Sequence, residues 1–426
     1  MTGGLVTVER APVRAGAEFA SRWPVLLGAM LGIGVGVVAL PSPAIGVFMR
    51  ALQGEFGWTR AEISLGPTIL IAVLALVSPL LGWLADRVSA VWITAGSLSA
   101  LAVALFLFSR LGPNLWLYYA GFAAMSVTAS GAATLVYARV VSANFVRGRG
   151  LALGLAMIGN GLTGILLPIL LVPYAASAGW RQGFVALGLL VALCVPVVAF
   201  LMSRSRPVSQ AAANADPSAT LAGRTLEEAL GDPAFWTMAA CFTLIPLGAA
   251  GMHLHFLAFL ADAGVAPRQA GLIASLGGVA LIVGRVSTGW LIDRAFAAHV
   301  AAAMMAISAA CIAAMATFGA PAAGLGAVAI GLSIGAELDL IGYMTARYFG
   351  MRAFGRIYGL LYAAALVGSA LSPLAYGLIA DSTRSYTGGL YAGAAVLMLS
   401  AALFLTLPRF PQAEKADGII GEAQVA

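Results

Sequence analysis

Residues 284–294 read Gly284-Arg285-Val286-Ser287-Thr288-Gly289-Trp290-Leu291-Ile292-Asp293-Arg294, and this stretch decides the fold. It closes an apolar run that begins near Gln269, and it sets an arginine inside that run. Arg285 lies eight residues before Asp293, about 12 Å along a helix. If the run crosses a bilayer, the guanidinium sits below the headgroups, where a charge is costly and usually functional. The end of the stretch is an echo. Gly82-Trp83-Leu84-Ala85-Asp86-Arg87 recurs as Gly289-Trp290-Leu291-Ile292-Asp293-Arg294 at an offset of 207, and Leu74 recurs as Leu281. Where the second copy has Gly284-Arg285, the first has Val77-Ser78. The chain is therefore duplicated, and the intramembrane charge belongs to one copy.

Composition sets the class. The 426 residues are 61% hydrophobic and 9% charged, with a mean hydropathy of +0.96. A soluble domain carries about 25% charge, so this is an integral membrane protein. The apolar runs are long, rich in Ala, Leu and Gly, and do not alternate as barrel strands must. Only helices then satisfy the backbone in lipid. The net charge of +6 belongs to loops facing anionic lipid rather than to nucleic-acid binding. Cys194, Cys241 and Cys311 sit in apolar runs without paired spacing, which argues for free thiols and against a disulfide framework or a metal site. The first apolar run follows a polar leader and has no clear cleavage site, so it is read as a span and not as a signal peptide.

Spans are expected at about 24–48, 63–81, 91–108, 115–137, 151–172 and 183–202, and again at about 234–260, 269–291, 299–318, 322–345, 357–380 and 389–407. Each is long enough to cross a bilayer. The domain reading is a disordered leader 1–21, a six-helix bundle 22–203, a linker 204–232, a second six-helix bundle 233–407 and a tail 408–426. Gly148, Arg149 and Gly161 recur as Gly355, Arg356 and Gly368, which extends the repeat. Sixteen Lys and Arg fall on the side of the amino terminus and six on the other. Leader, linker and tail are thus expected in the cytoplasm. Thr59-Arg60-Ala61-Glu62 is a capping-box pattern that starts the second span, and Pro267 suits the first turn of the eighth. Gly28, Gly32 and Gly36 permit close helix packing in the first span.

These features resemble the major facilitator superfamily: two pseudo-symmetric six-helix bundles, with Gly-Trp-Leu-Ala-Asp-Arg after the second span and its echo after the eighth. Further residues are similar to the branch that contains monocarboxylate transporters and the oxalate/formate exchanger. They are Phe56-Gly57-Trp58-Thr59-Arg60-Ala61-Glu62-Ile63-Ser64, Arg149-Gly150-Leu151-Ala152-Leu153-Gly154, Gly179-Trp180-Arg181, Arg347-Tyr348-Phe349-Gly350 and Tyr358-Gly359. Gly284-Arg285 followed by Gly289 resembles the eighth-span motif whose arginine binds substrate carboxylate. The chain also departs from the branch. Arg22-Trp23-Pro24 replaces the eukaryotic first-span motif, and the intramembrane lysine of that span is absent. Leu281 stands where those carriers have an aspartate, and residues near Ala365 are apolar where the exchanger has a lysine.

The candidate site follows from these residues. Arg285 offers a planar fork for one carboxylate; the competing reading is a structural pair with an acid. Glu337 and Asp339 are the acids deep in a span, and two residues apart they point about 200° from each other. Either one is a candidate partner of Arg285, and the other a candidate proton carrier. His253 and His255, in the seventh span, are candidates for anion donation and proton relay respectively, against a plain role as hydrogen-bonded interior imidazoles. Asn160, Tyr119 and Tyr343 are further candidates to line the path, although packing is the commoner role for such tyrosines. Gly82, Asp86, Arg87, Gly289, Asp293 and Arg294 resemble a cytoplasmic gate motif, in which a carboxylate holds a neighbouring helix N-terminus.

The expected activity is secondary transport of small organic anions, above all monocarboxylates, by alternating access around a central site. The expected setting is a monomer in a bacterial inner membrane, with protons as a candidate coupling ion and no cofactor. No Gly-x-x-x-x-Gly-Lys-Ser/Thr loop points to ATP, and no nucleophile–base or metal constellation points to an enzyme. Two alternatives stand beside it: a proton-linked exporter of drugs or cations that uses Glu337 or Asp339, and a membrane sensor that binds an anion without moving it.

Overall fold

The computed structural model describes residues 15–145, 149–205, 223–292, 294–350 and 352–410. Among them, the regular structure is helical apart from an isolated bridge between Gly223 and Gly350. The helices of the first half are α1 (Ala15–Gly34), α2 (Pro41–Phe56), α3 (Arg60–Arg87), α4 (Ala90–Phe108), α5 (Leu115–Thr128), α6 (Thr134–Asn144), α7 (Arg149–Ala178) and α8 (Trp180–Met202). A short α9 (Leu226–Leu230) follows the linker. The second half has α10 (Pro233–Asp262), α11 (Pro267–Ile292), α12 (Ala297–Phe318), α13 (Ala323–Phe349), α14 (Phe354–Thr383) and α15 (Thr387–Leu405). Among the described residues, ten helices are long and apolar enough to cross a membrane. The first and fourth spans are each made of two shorter helices, α1 with α2 and α5 with α6, which brings the total to twelve. The start of α1, the end of α8, the described residues around Arg224 and the end of α15 share one end of the bundle, called here the terminal face.

The two breaks correct the continuous first and fourth spans expected from hydropathy. Pro41 opens α2 and lacks the N–H that would continue α1. The freed groups find partners within the protein, as a bilayer demands. Thr163 of α7 donates to the Gly34 carbonyl at 2.7 Å, and the Gly131 N–H between α5 and α6 donates to Ser97 at 3.1 Å. The breaks also pack on each other: a Cβ on Gly36 would lie 2.4 Å from the Ala132 carbonyl oxygen. A second correction concerns the leader. Helix α1 begins at Ala15, inside the stretch expected to be disordered, while residues 1–14 lie outside the described residues. Most of the expected linker, 206–222, also lies outside them.

Local chemistry fixes the helix starts. Thr59 and Glu62 form the expected capping box, with the Thr59 N–H donating to Glu62 at 2.8 Å and the Glu62 N–H to the Thr59 hydroxyl at 3.2 Å. A second box, Thr225 with Glu228, opens α9. Helix α11 starts at Pro267. Cys194, Cys241 and Cys311 are free thiols.

The halves meet through small residues. A Cβ on Gly278 of α11 would lie 2.5 Å from the backbone of Gly164 and Ile165 in α7. A Cβ on Gly377 of α14 would lie 2.8 Å from Cα of Ala61 in α3. Backbones this close leave no room for a side chain, so Gly278→Val should lower stability by about 1–3 kcal/mol through overpacking. Gly96 of α4 has open space around it, and Gly96→Ala should leave stability unchanged or slightly higher. Thermal unfolding of the two variants in detergent checks this; equal midpoints would mean that α7 and α11 do not pack as described.

Candidate functional site

Arg285 enters the bundle on α11, seven residues before that helix ends. The neighbouring α13 comes unusually close. A Cβ on Gly331 would lie 2.1 Å from the Gly277 carbonyl oxygen, and one on Gly335 would lie 2.5 Å from that of Leu281. This approach lets the short Asp339 side chain reach the guanidinium, with Nε to Oδ2 at 3.5 Å. Arg285 is 11% exposed and Asp339 34%. Arg285 Nε is buried and makes no hydrogen bond. Among the described residues, the Asp339 carboxylate is the partner Arg285 has. The pair is thus a charge contact without the two parallel hydrogen bonds that a guanidinium–carboxylate fork forms at its best.

Glu337 lies on the other side of α13 at 8% exposure and has no hydrogen bond or ion pair among the described residues. Of the two acids left open by the sequence, Asp339 is the one that pairs. Tyr358 and Tyr362 of α14 stack on each other at 6.2 Å, and Phe354 continues the stack at 5.7 Å. Tyr358 is within electrostatic range of Asp339, Glu337 and Arg285, and Tyr362 of Glu337. The four-residue spacing of Phe354, Tyr358 and Tyr362 was the signal in the sequence for this aromatic stripe.

A cavity of about 250 Å³ lies between the halves. Its walls come from α2, α3, α7, α10, α11, α13 and α14 and are mostly apolar, including Val38, Ile71, Leu167, Leu257 and Ile330. Asn160 and His253, both candidates from the sequence, line it, as do Ser42 and Ser369. None of its lining residues is Asp, Glu, Lys or Arg. Leu281 and Ile334 stand at its floor. Arg285 follows Leu281 by four residues and Glu337 follows Ile334 by three, so the charged group lies about one turn beyond the floor, toward the terminal face.

The structure places other candidates elsewhere. The Tyr343 hydroxyl donates to the Ile292 carbonyl at 3.2 Å, and its ring packs against Phe410. The Tyr119 hydroxyl donates to the Glu62 carbonyl at 3.1 Å, near the face opposite the termini. Tyr343 satisfies a carbonyl at the end of α11, Tyr119 bonds a carbonyl in the first turn of α3, and neither lines the cavity. His255 is buried between elements: Nε2 donates to the Pro373 carbonyl and faces the Ser64 hydroxyl, each at 3.0 Å, and Nδ1 accepts from Tyr386 at 3.0 Å. Pro373 can only accept, which assigns the proton to Nε2. In the gate motif, Gly82 and Asp86 fall in the last turns of α3, and Arg87 ends it. Gly289 has open space around it. Arg294 folds back on Trp290, with its guanidinium 4.1 Å from the ring centre. Asp293 lies outside the described residues.

One cluster escaped the sequence reading. At the face opposite the termini, the N–H groups of Arg60 and Ala61 donate to Asp381 of the other half at 3.1 and 2.8 Å. These are the unsatisfied donors that open α3, and a carboxylate there is favoured. The Arg60 side chain pairs with Asp262, and its guanidinium lies 4.7 Å from the Tyr386 ring centre. Arg50 joins at 3.6 Å from Asp262 and donates to the Ala261 carbonyl at 2.7 Å. The signal was present: Gly377-Leu378-Ile379-Ala380-Asp381 is a third version of the duplicated Gly-x-x-x-Asp pattern.

The chain is 28% identical over 397 residues to monocarboxylate transporter 13 of Bos taurus, covering 91% of this chain and 89% of that one. It is 29% identical over 364 residues to an uncharacterized 38 kDa protein of Thermoproteus tenax, covering 82% and 88%. Among solved structures, a bacterial homolog of the human lysosomal transporter Spinster, inward-facing and occupied, superposes with a TM-score of 0.70 at 14% identity, covering 94% of this chain and all of that one. The nucleoside transporter NupG superposes with a TM-score of 0.71 at 13% identity, covering 90% and 99%. These two share the fold. The family model described as Major Facilitator Superfamily matches residues 23–341, and the chain belongs to that family of transporters.

Proposed function

We propose that the chain is a secondary active transporter of small monocarboxylates that works by alternating access. The observation that carries this reading is the buried Arg285 Nε, which among the described residues has no hydrogen bond and a single charge contact at 3.5 Å. A guanidinium kept charged and unsatisfied next to a cavity is ready for a better ligand, and a substrate carboxylate supplies two parallel acceptors. The relatives named as monocarboxylate transporters support the same substrate class. One guanidinium meets one carboxylate. A dianion would leave its second charge uncompensated in a cavity with no charged lining residue.

Two further steps complete the mechanism. When substrate takes Arg285, Asp339 loses its partner. Unpaired carboxylates are expensive inside a bilayer, which suits Asp339 or the unpartnered Glu337 to carry the coupling proton. Arg60, Asp262 and Asp381 form the outer latch, which must open for access from the opposite side. We place the terminal face in the cytoplasm from the arginine distribution, and we take the chain as a monomer of the bacterial inner membrane. A cation exporter is the second reading, and the unpartnered Glu337 is the observation in its favour.

Three outcomes follow. Arg285→Gln should abolish uptake of labelled monocarboxylate in proteoliposomes, and Arg285→Lys should lose most of it because an ammonium lacks the fork. Full uptake by the Gln variant would remove Arg285 from the site and favour the exporter. Of Glu337→Gln and Asp339→Asn, the one that neutralises the proton carrier should retain exchange but lose accumulation driven by a pH gradient. Wild-type transport that moves no proton would remove both acids from that role. Asp381→Asn replaces charge-assisted bonds across the latch by neutral ones, which are about half as strong. A cysteine in place of Ala250, in a background without native cysteines, should then react several-fold faster with an impermeant thiol reagent from outside. An unchanged rate would mean that the latch does not hold the outer face shut.

A further inference from the structure

The central cavity contains polar side chains that the fold does not use. Ser42 stands at the start of α2, just after the break in the first span, and its Oγ is buried without a hydrogen bond. Asn160 of α7 and Ser369 of α14, both half-buried, and His253 of α10, which is exposed, also line the cavity and have no hydrogen-bond partner among the described residues. Their neighbours show what structural use looks like here. Thr163, also in the lining, is consumed by the Gly34 carbonyl. His255, two residues from His253, has both ring nitrogens engaged. Four polar groups from four helices therefore face one apolar space without serving packing, and a buried polar atom such as Ser42 Oγ is rarely left without a partner in native proteins.

Position and charge define what would satisfy them. No lining residue is charged, so the missing partner is a neutral donor or acceptor. The group starts level with Leu281 at Asn160 and continues away from Arg285 to Ser42 and His253. Close packing sets the levels: Gly161, next to Asn160, lies against Ile282, and Gly46, one turn past Ser42, lies against Leu254, next to His253. The polar set thus begins about one turn from Arg285 and extends toward the outer latch, about 6–12 Å along the bundle axis. The walls between are apolar, and the volume of about 250 Å³ falls below the roughly 300 Å³ at which drug-sized pockets begin.

We propose that Ser42, Asn160, His253 and Ser369 form a second, uncharged recognition site for a hydroxyl or carbonyl of the cargo away from its carboxylate. The preferred substrate is then a monocarboxylate with a compact apolar body, of the size of one aromatic ring, that bears a neutral polar group opposite its carboxylate. This assignment rests on the reading of Arg285 as the carboxylate ligand.

The test is competition against labelled phenylacetate uptake in proteoliposomes by three probes: phenylacetate, 4-hydroxyphenylacetate and 4-carboxyphenylacetate. The expected result is that the hydroxylated acid competes about three- to tenfold better than phenylacetate, the range of one neutral hydrogen bond. The second carboxylate should compete worst. In the Ser42→Ala, Asn160→Leu, His253→Leu, Ser369→Ala variant, the preference for the hydroxyl should fall to unity, whatever uptake remains. If that variant does not fold, the wild-type ratio and the single Asn160→Ala variant decide the matter. Equal competition by phenylacetate and its hydroxylated form, or a preference that survives in the variants, would overturn this site while leaving the carboxylate reading intact. Better competition by the dicarboxylate would overturn its neutral character, because a cation would have to stand there. Failure of all three acids to enter or compete would remove the carboxylate reading itself, and this inference with it.

Discussion

An arginine inside a bilayer must stay charged without water, and this constraint organises the second half of the molecule. Arg285 can be held there only if an acid reaches it, and Asp339 has a short side chain. Gly331 and Gly335 on α13 remove the side chains that would keep α11 away, so the pair forms at 3.5 Å. The contact is enough to offset part of the cost of burial and too poor to satisfy the guanidinium. The cavity begins about one turn away, at Leu281 and Ile334. Charge, helix approach and cavity are thus parts of one arrangement.

The two halves share a plan and divide the work. Val77-Ser78 stands in the first copy where Gly284-Arg285 stands in the second, so the charged chemistry lies in the second half. The first half contributes broken spans instead. Proline and glycine interrupt the first span, and the ends are satisfied by Thr163 and Ser97. Non-helical backbone at membrane depth is tolerated where protein encloses it, and here the break presents Ser42 to the cavity. The halves are joined at the face opposite the termini, where Asp381 receives the first two N–H groups of α3.

Much of the fold was legible because a bilayer forces it. Long apolar runs must be helices, and the offset of 207 reveals the duplication. The breaks were hidden because hydropathy records side chains and not backbone partners, and those partners lie on other helices. Arg285 was conspicuous as a charge in an apolar run. Its pairing with Asp339 and not Glu337 depends on which face of α13 meets α11, and spacing alone left both open. Tyr343 and Tyr119 are plausible path residues by type, yet their hydroxyls bond backbone carbonyls of α11 and α3; a tyrosine's chemistry does not say which way it points. His253 and His255 show the same limit, two residues apart with one in the cavity and one locked between helices. The acid that joins the halves was readable in Gly377-Leu378-Ile379-Ala380-Asp381, but its partner is a helix N-terminus some 320 residues away.

The claim on which the account turns is that Arg285 is where an anion binds. The most direct measurement is the thermal unfolding of purified wild type and Arg285→Gln, with and without a monocarboxylate at saturating concentration. A ligand at about 100 times its Kd stabilises the folded state by roughly 2.7 kcal/mol. The account predicts a clear rise in midpoint for wild type and none for the variant. An equal rise in both, or a rise in wild type with organic cations and none with carboxylates, would contradict it.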